Sequence, residues 1–449
     1  MLSAIILLGL GYEWGRRQVP PLTILSSPPM TGLPKVPKKP LSELFNGLTL
    51  QSSLITPESN DSASIVRTQP ESYRVEIAIH AVLPRPNLSA EQISKLIPTL
   101  PDILKNFDSL MNQAKLSPAF TQLYENKLGV LRQNLFYLER AVSRQNFYDC
   151  ETILNLRNSR SGRRAILAIG PMDVNTDGSD GDRNVRIDKT SLTFQPTTSY
   201  RWSKTSKRLN PFIDPIQREL NQISEQKTSE KTLTLNQRQA FLTRRLRELN
   251  RWSFLASTAD PFIVLPEFFF RKYSGPFAPQ IGDFALVLYK GVAYPAIVGD
   301  AGPSYKFGEA SLRICHQINK ASSGLNRAVT PLRVAYLVFP GTALKPWQTP
   351  DLKIWNSRCA SLLEEFGGDT KTVFQWKTNF PPWPQPPGVS PPPPRVSTSS
   401  PPFPGPSTSS ASPSAEPLSG APQRAPQRAP QQSPPGHFLS LIEQIDSSA

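Results

Sequence analysis

The chain has 449 residues, a formal net charge of +15 and 48 prolines, 20 of them between positions 381 and 435. That stretch cannot enter a core, so one domain of catalytic size, residues 73–377, replaces the two or three that length alone allows. Cys150, Cys315 and Cys359 match no zinc spacing, and His80, His316 and His437 are too scattered for a histidine metal site. That disfavours Cys/His-ligated metal chemistry, and no cofactor is expected.

Residues 1–11 are apolar and are followed by Arg16-Arg17. The run is too short to span a bilayer. It resembles the hydrophobic part of a secretion signal, so residues 1–17 read as a signal- or anchor-like segment, with an ordinary buried N-terminal segment as the alternative. Residues 18–72 are rich in Pro, Ser and Thr without a sustained period and read as a linker. A strand is expected at 73–82. Ser89 and Gln92 form a capping-box pattern that opens a helical addition, 89–146, with helical spacing over 90–97, 101–114 and 118–143.

Strands are expected at 147–156 and 164–169, then an acidic loop, then a Thr- and aromatic-rich strand at 191–200. A basic helical insertion, 203–255, follows. Residues 201–251 hold twelve Lys/Arg against five Asp/Glu, whereas 173–188 hold five Asp against two Arg. In the second half of the insertion Arg238, Arg244, Arg245, Arg247 and Arg251 sit beside Leu242, Leu246 and Leu249. This reads as a solvated face on a packed helix. Nucleic acid or acidic lipid is the alternative, but no groove-reading motif or aromatic platform supports it. Dense β-branched and aromatic runs at 261–270, 284–289, 292–298 and 332–339 predict core strands, the middle two joined by a Lys290-Gly291 turn. Short helices are expected at 310–318 and 351–366. Residues 378–449 form a Pro/Ser/Thr-rich tail, expected to be disordered or extended, in which 437–445 is a brief helix or docking peptide.

Two groups of residues can carry chemistry. Asp300 stands where a strand ends, and Glu309 follows nine residues later across a loop containing Gly302 and Pro303. Two carboxylates facing each other across a cleft are the minimum equipment for acid/base hydrolysis of a glycosidic bond. The second group, Asp173, Asn175, Asp177 and Gly178, begins like an EF-hand calcium loop. Its twelfth position is Asn184 where that loop needs Glu, and no suitable helix pair flanks it. Three readings stay open: a hard-cation site at Asp173, Asn175 and Asp177, an acidic lining for a cationic ligand, and an acidic turn without a ligand.

The ordered segments MDVNTDGSDGDR, PFIVLPEFF, GDFALVLYKGVAYPAIVGD and FGEAS resemble glycoside hydrolase family 75, the fungal-type chitosanases, over roughly residues 147–339. The resemblance implies a mainly β (α+β) domain built on a small closed β-barrel of double-psi type, with added helices and disordered flanks. It implies endo-acting, inverting hydrolysis of β-1,4-linked glucosamine polymers such as chitosan. Glu309 would be the general acid and Asp300 the general base. Asp173, Asp177 and Asp180 would bind sugar ammonium groups, and Tyr148, Tyr200, Trp202 and Tyr305 are candidates to stack on rings. Asn175 departs from the acidic pattern of the family, and the loop between the two carboxylates is shorter than in fungal members. The expected partner is a polysaccharide, not nucleic acid. The protein is expected to be a monomer, secreted or associated with the cell envelope, where its positive charge would hold it on an anionic surface. A non-catalytic polysaccharide- or wall-binding protein on the same fold is the alternative reading. A Pro-rich scaffold that recruits partners through its tail is a third.

Overall fold

The computed structural model describes residues 59–69, 72, 83–135, 137, 150–225, 233–271 and 275–378. The apolar segment 1–17, the strand expected at 73–82, Tyr148 and the tail beyond 378 lie outside them.

The strands are β1 (Lys115–Leu116), β2 (Thr152–Arg157), β3 (Arg164–Asn175), β4 (Arg201–Ser203), β5 (Trp252–Phe254), β6 (Phe262–Pro266), β7 (Phe284–Tyr289), β8 (Val292–Gly302), β9 (Glu309–Ser311) and β10 (Arg327–Val338). Eight of them form one sheet in the order β1-β2-β3-β10-β7-β8-β6-β9, and an added pairing of β3 with β9 closes it. The ring β3-β10-β7-β8-β6-β9 is therefore a closed barrel in a mainly β domain, as the family resemblance implies. Closure leaves no unpaired edge within the ring. Near-continuous apolar runs make its walls: Phe284, Ala285, Leu286, Val287 and Leu288 of β7 are all buried. β7 and β8 are joined by Lys290 and Gly291, with φ of 48° and 79°, the double positive φ that a two-residue hairpin turn requires.

Two of the barrel pairings are parallel, β6 with β8 and β3 with β9. The parallel pairing of β3 with β9 and the antiparallel pairing of β6 with β9 draw β9 in between β3 and β6. This short strand therefore shares its register with the end of β3, where the acidic segment lies. β3 runs on to Asn175, so Asp173 and Asn175 are strand residues and not members of the loop that the sequence predicts. The strand predicted at 191–200 does not form as far as Tyr200; those residues make an irregular strap. Their polar groups bond to neighbours instead of to a ladder: Gln195 O accepts from Gly178 N at 2.7 Å, and Pro196 O from Ser179 Oγ at 2.6 Å.

The helical addition comprises α1 (Ala90–Leu96), α2 (Leu100–Ile103), α3 (Phe107–Asn112) and α4 (Pro118–Asn134). Ser89 caps α1 by accepting from Gln92 N at 3.3 Å. The basic insertion is a helix pair, α5 (Ile213–Glu225) and α6 (Leu233–Arg251). Ile216, Leu220 and Ile223 of α5 meet Leu242 and Leu249 of α6 in a satellite core separate from the barrel core. After β6 comes α7 (Phe268–Arg271), and after β9 comes α8 (Leu312–Ile318). The last long helix, α9 (Leu352–Glu365), is capped by Asp351. It buries Trp355, Cys359 and Leu362, and Cys359 Sγ donates to Ala285 O of β7 at 3.4 Å. No helix among the described residues is long and apolar enough to cross a membrane.

Candidate active site

The register of β9 brings the sequence-predicted carboxylates to one level of the barrel. Glu309 pairs with Asp173 of β3 on one side and with Val264 of β6 on the other. Val264 in turn pairs with Asp300 of β8. Asp173, Glu309, Val264 and Asp300 thus form a row across four adjacent strands, and laterally paired residues share a face. Two strand spacings separate the backbones of Glu309 and Asp300, roughly 10 Å.

Local backbone geometry aims Glu309. Gly308 has φ of 90°, and a Cβ there would stand 2.5 Å from Pro171 O. Only glycine fits. It lets the loop pass close over β3, with Asp173 N donating to Gly308 O at 2.7 Å. Lys306 of the same loop bridges the row. Its Nζ lies 2.7 Å from Asp173 Oδ2 and 2.9 Å from Glu309 Oε2. Asn175 Nδ2 donates to Glu309 Oε1 at 2.9 Å and to Asp177 Oδ2 at 3.2 Å. Tyr305 is half-buried on this loop and interacts electrostatically with Lys306 and Glu309.

Asp300 is held differently. Ser199 N (2.9 Å), Ser199 Oγ (2.5 Å) and Ala301 N (2.8 Å) all donate to its Oδ1. Burial pushes the Asp300 carboxyl up to about 6; these donors pull it down and the Glu309 charge adds to the rise. Asp177 is raised well above the usual carboxyl range, first by burial and next by the Asp300 charge, while Gln195 N, 2.7 Å from its Oδ1, opposes the rise.

Asp173, Asn175, Asp177, Lys306 and Glu309 line one cleft open to solvent, with Thr176 and the loop residues Ser191, Thr193 and Gly324. Thr176 Oγ1 is buried in this wall without a hydrogen-bond partner. Acidic groups outnumber cations around it, which suits a ligand carrying ammonium groups.

Asp180 does not join this cleft. Its carboxylate is fully buried and binds Arg183, which also makes a bidentate pair with Asp260 at 2.7 and 2.8 Å. A carboxylate inside such a triad braces the fold and cannot reach a sugar. Tyr200 and Trp202, 6% and 2% exposed, are core aromatics. Tyr200 stacks on Trp347 at 5.3 Å and donates its hydroxyl to Gln348 O. The calcium-loop reading also fails on geometry. Asp173 and Asn175 lie in a strand, Asn175 turns its amide N–H groups toward the carboxylates, and the Lys306 ammonium holds Asp173. Among the described residues no group of three or more His, Cys, Asp or Glu is arranged to hold a metal.

Sequence reasoning missed Lys306, Asn175 as a hydrogen-bond donor, Thr176, Ser199, Gln195 and Arg245. Only Lys306 carried a signal, a cation three residues before Glu309. Asn175 and Thr176 stand within the acidic segment itself, whereas Ser199, Gln195 and Arg245 come in through tertiary packing.

Residues 172–367 match the family model described as fungal chitosanase of glycosyl hydrolase group 75. No curated protein matches the chain.

Proposed function

The 172–367 stretch of this chain belongs to glycosyl hydrolase group 75, and we propose that the protein is an endo-acting, inverting chitosanase in which Asp300 and Glu309 are the acid/base pair. The observation that carries this reading is the pairing of both residues with Val264 from opposite sides. It sets their backbones roughly 10 Å apart on one face. Side chains projecting from backbones so spaced have the reach to set their carboxyls at the ~6.5–9.5 Å that admits a water, the arrangement of an inverting pair.

The partner atoms divide the roles. Asp300, raised to about 6, takes its three donors on Oδ1. A proton on Oδ2 can then be given to the leaving oxygen, the task of the acid. Glu309 faces two donors, one of them the Lys306 ammonium, and suits the acceptor that takes a proton from water. This is the reverse of the division that the family resemblance implies. Asp177 binds a glucosamine ammonium group, with Asp173, already paired with Lys306, lining the cleft beside it. A polymeric substrate places the enzyme outside the cell or on its envelope, and the apolar run 1–11 supports export.

The test is release of reducing ends from chitosan by the full chain, with the anomer formed first read by NMR. Asp300→Asn and Glu309→Gln should each lower kcat at least roughly 10²-fold. A substrate with an activated leaving group should restore turnover in D300N but not in E309Q. Retention of the polymer with no product from the wild type would make the protein a binding module on this fold. Wild-type activity that survives both substitutions would remove the pair.

A further inference from the structure

The 195–199 strap holds two carboxylates of the site at once. Gln195 N donates to Asp177 Oδ1 at 2.7 Å, and Ser199 donates to Asp300 from both N and Oγ. The strap has no ladder of its own. It is clamped from behind by one side chain of the basic insertion: Arg245 of α6 gives Nη2 to Gln195 Oε1 at 2.7 Å and Nη1 to Thr197 Oγ1. The sequence pattern assigns Arg245 to a solvated face. In the structure it turns inward, and its electrostatic partners include Asp177 and Asp300.

We propose that the helical insertion is part of the catalytic apparatus, with Arg245 as a positioning residue that braces the strap against Asp177 and Asp300. The inference rests on the chitosanase reading, and it names what the insertion does for that site. A guanidinium fork suits the task because it fixes two acceptors in one plane. Gln195 and Thr197 are two residues apart, so the fork sets the strap's path between the two carboxylates. The charge acts as well. Asp300 meets Glu309 from β9, Asp177 from the end of β3, Arg245 from α6, and the Ser199 and Ala301 donors. Arg245 itself meets Glu248 and Arg244 on its own helix. Lys306 and Asp173 stand beyond Glu309. Arg245 is thus a cation on the Asp300 side of the row, as Lys306 is on the Glu309 side.

Two substitutions separate brace from charge. Arg245→Met should lower kcat at least roughly tenfold. It should also move the Asp300-governed limb of the pH–rate profile to higher pH, because loss of a nearby cation favours the protonated carboxyl. Arg245→Lys keeps the charge and loses the fork, so kcat should fall while the limb stays in place. A carbon-detected NMR titration of Asp300 in wild type and R245M reads the same shift without any turnover. It therefore separates the two ideas: wild-type inertness on chitosan removes the functional reading, and an unmoved Asp300 titration in R245M removes this one. An active wild type with R245M unchanged in kcat and in pH profile would also overturn it. Should R245M fail to fold, R245K decides, and undiminished kcat in that variant rejects the brace.

Discussion

Lys306 reaches three residues forward to Glu309, its Nζ 2.9 Å from Oε2, while the same ammonium holds Asp173 at 2.7 Å. The three side chains are only 7–13% exposed. Removing the cation leaves two carboxylates in a poorly solvated cleft, a case in which breaking a pair costs far more than the pair contributes. Lys306→Met should therefore lower unfolding stability by about 3 kcal/mol at neutral pH, read from denaturant melts. The added substitution Glu309→Gln should recover part of the loss, since one of the stranded charges is gone. A simple sum of the two single effects would show that Lys306 and Glu309 do not interact.

Asp300 gives stability a pH dependence of defined sign. Its carboxyl is raised from 3.8 to about 6, chiefly by burial, so the folded state binds this proton more tightly than the unfolded chain does. The resulting stabilisation is complete below about pH 4 and is lost as pH rises through about 6. The loss is at most about 3 kcal/mol. Asp177, also raised, acts in the same direction. Unfolding free energies measured between pH 4 and 7 should fall with pH in the wild type, and should fall less steeply in D300N. Parallel curves for the two proteins would refute the assignment.

Much of the barrel was legible because its strands are buried on both faces. A run such as Phe284–Tyr289 needs no alternation to announce itself, and Lys290-Gly291 marks its turn. Asp300 and Glu309 stand out in the sequence for a related reason: each follows a glycine beside an apolar run, although β8 continues past Asp300 to Gly302 and only Glu309 stands at a strand end. What failed was the acidic segment, read as one unit. Asp173 and Asp177 reach the cleft, while Asp180 turns into the core to meet Arg183 and Asp260. Nothing at 173–182 signals that division, because Asp260, which shares Arg183 with Asp180 in the core, and Lys306, which holds Asp173 at the cleft, lie far along the chain. Arg245 was misread for a similar reason. On α6 it shares its spacing with solvated arginines, and only the strap, 48 and 50 residues earlier in the chain, gives it something to hold.

The division of the acidic segment can be tested by comparing Asp177→Asn with Asp180→Asn. Asp180 and Asp260 are 0% and 1% exposed in their side chains and share the Arg183 guanidinium. Unpairing such a group costs about 3–5 kcal/mol, so D180N should melt well below the wild type, and Arg183→Met lower still. D177N should keep most of its stability and lose affinity for chitosan, seen as a raised KM. A stable D180N with a raised KM would return Asp180 to the substrate-binding set.

The row of site residues also depends on an absence of side chain at Gly302. A Cβ built there would lie 2.7 Å from Val264 Cγ1 and 3.9 Å from Glu309 Oε2. Val264 is 5% exposed and carries the register of both carboxylates, so it cannot move aside alone. Gly302→Ala should cost about 1–3 kcal/mol by overpacking. It should lower kcat by a larger factor than that loss explains, because a shift of Val264 changes the spacing of Asp300 and Glu309. Val264→Ala in the same chain removes the clashing methyls, so the double variant should regain stability, and with it the register and much of the lost kcat. Recovery of stability without any recovery of kcat would mean that Val264 supports the fold but does not set the distance between the two carboxylates.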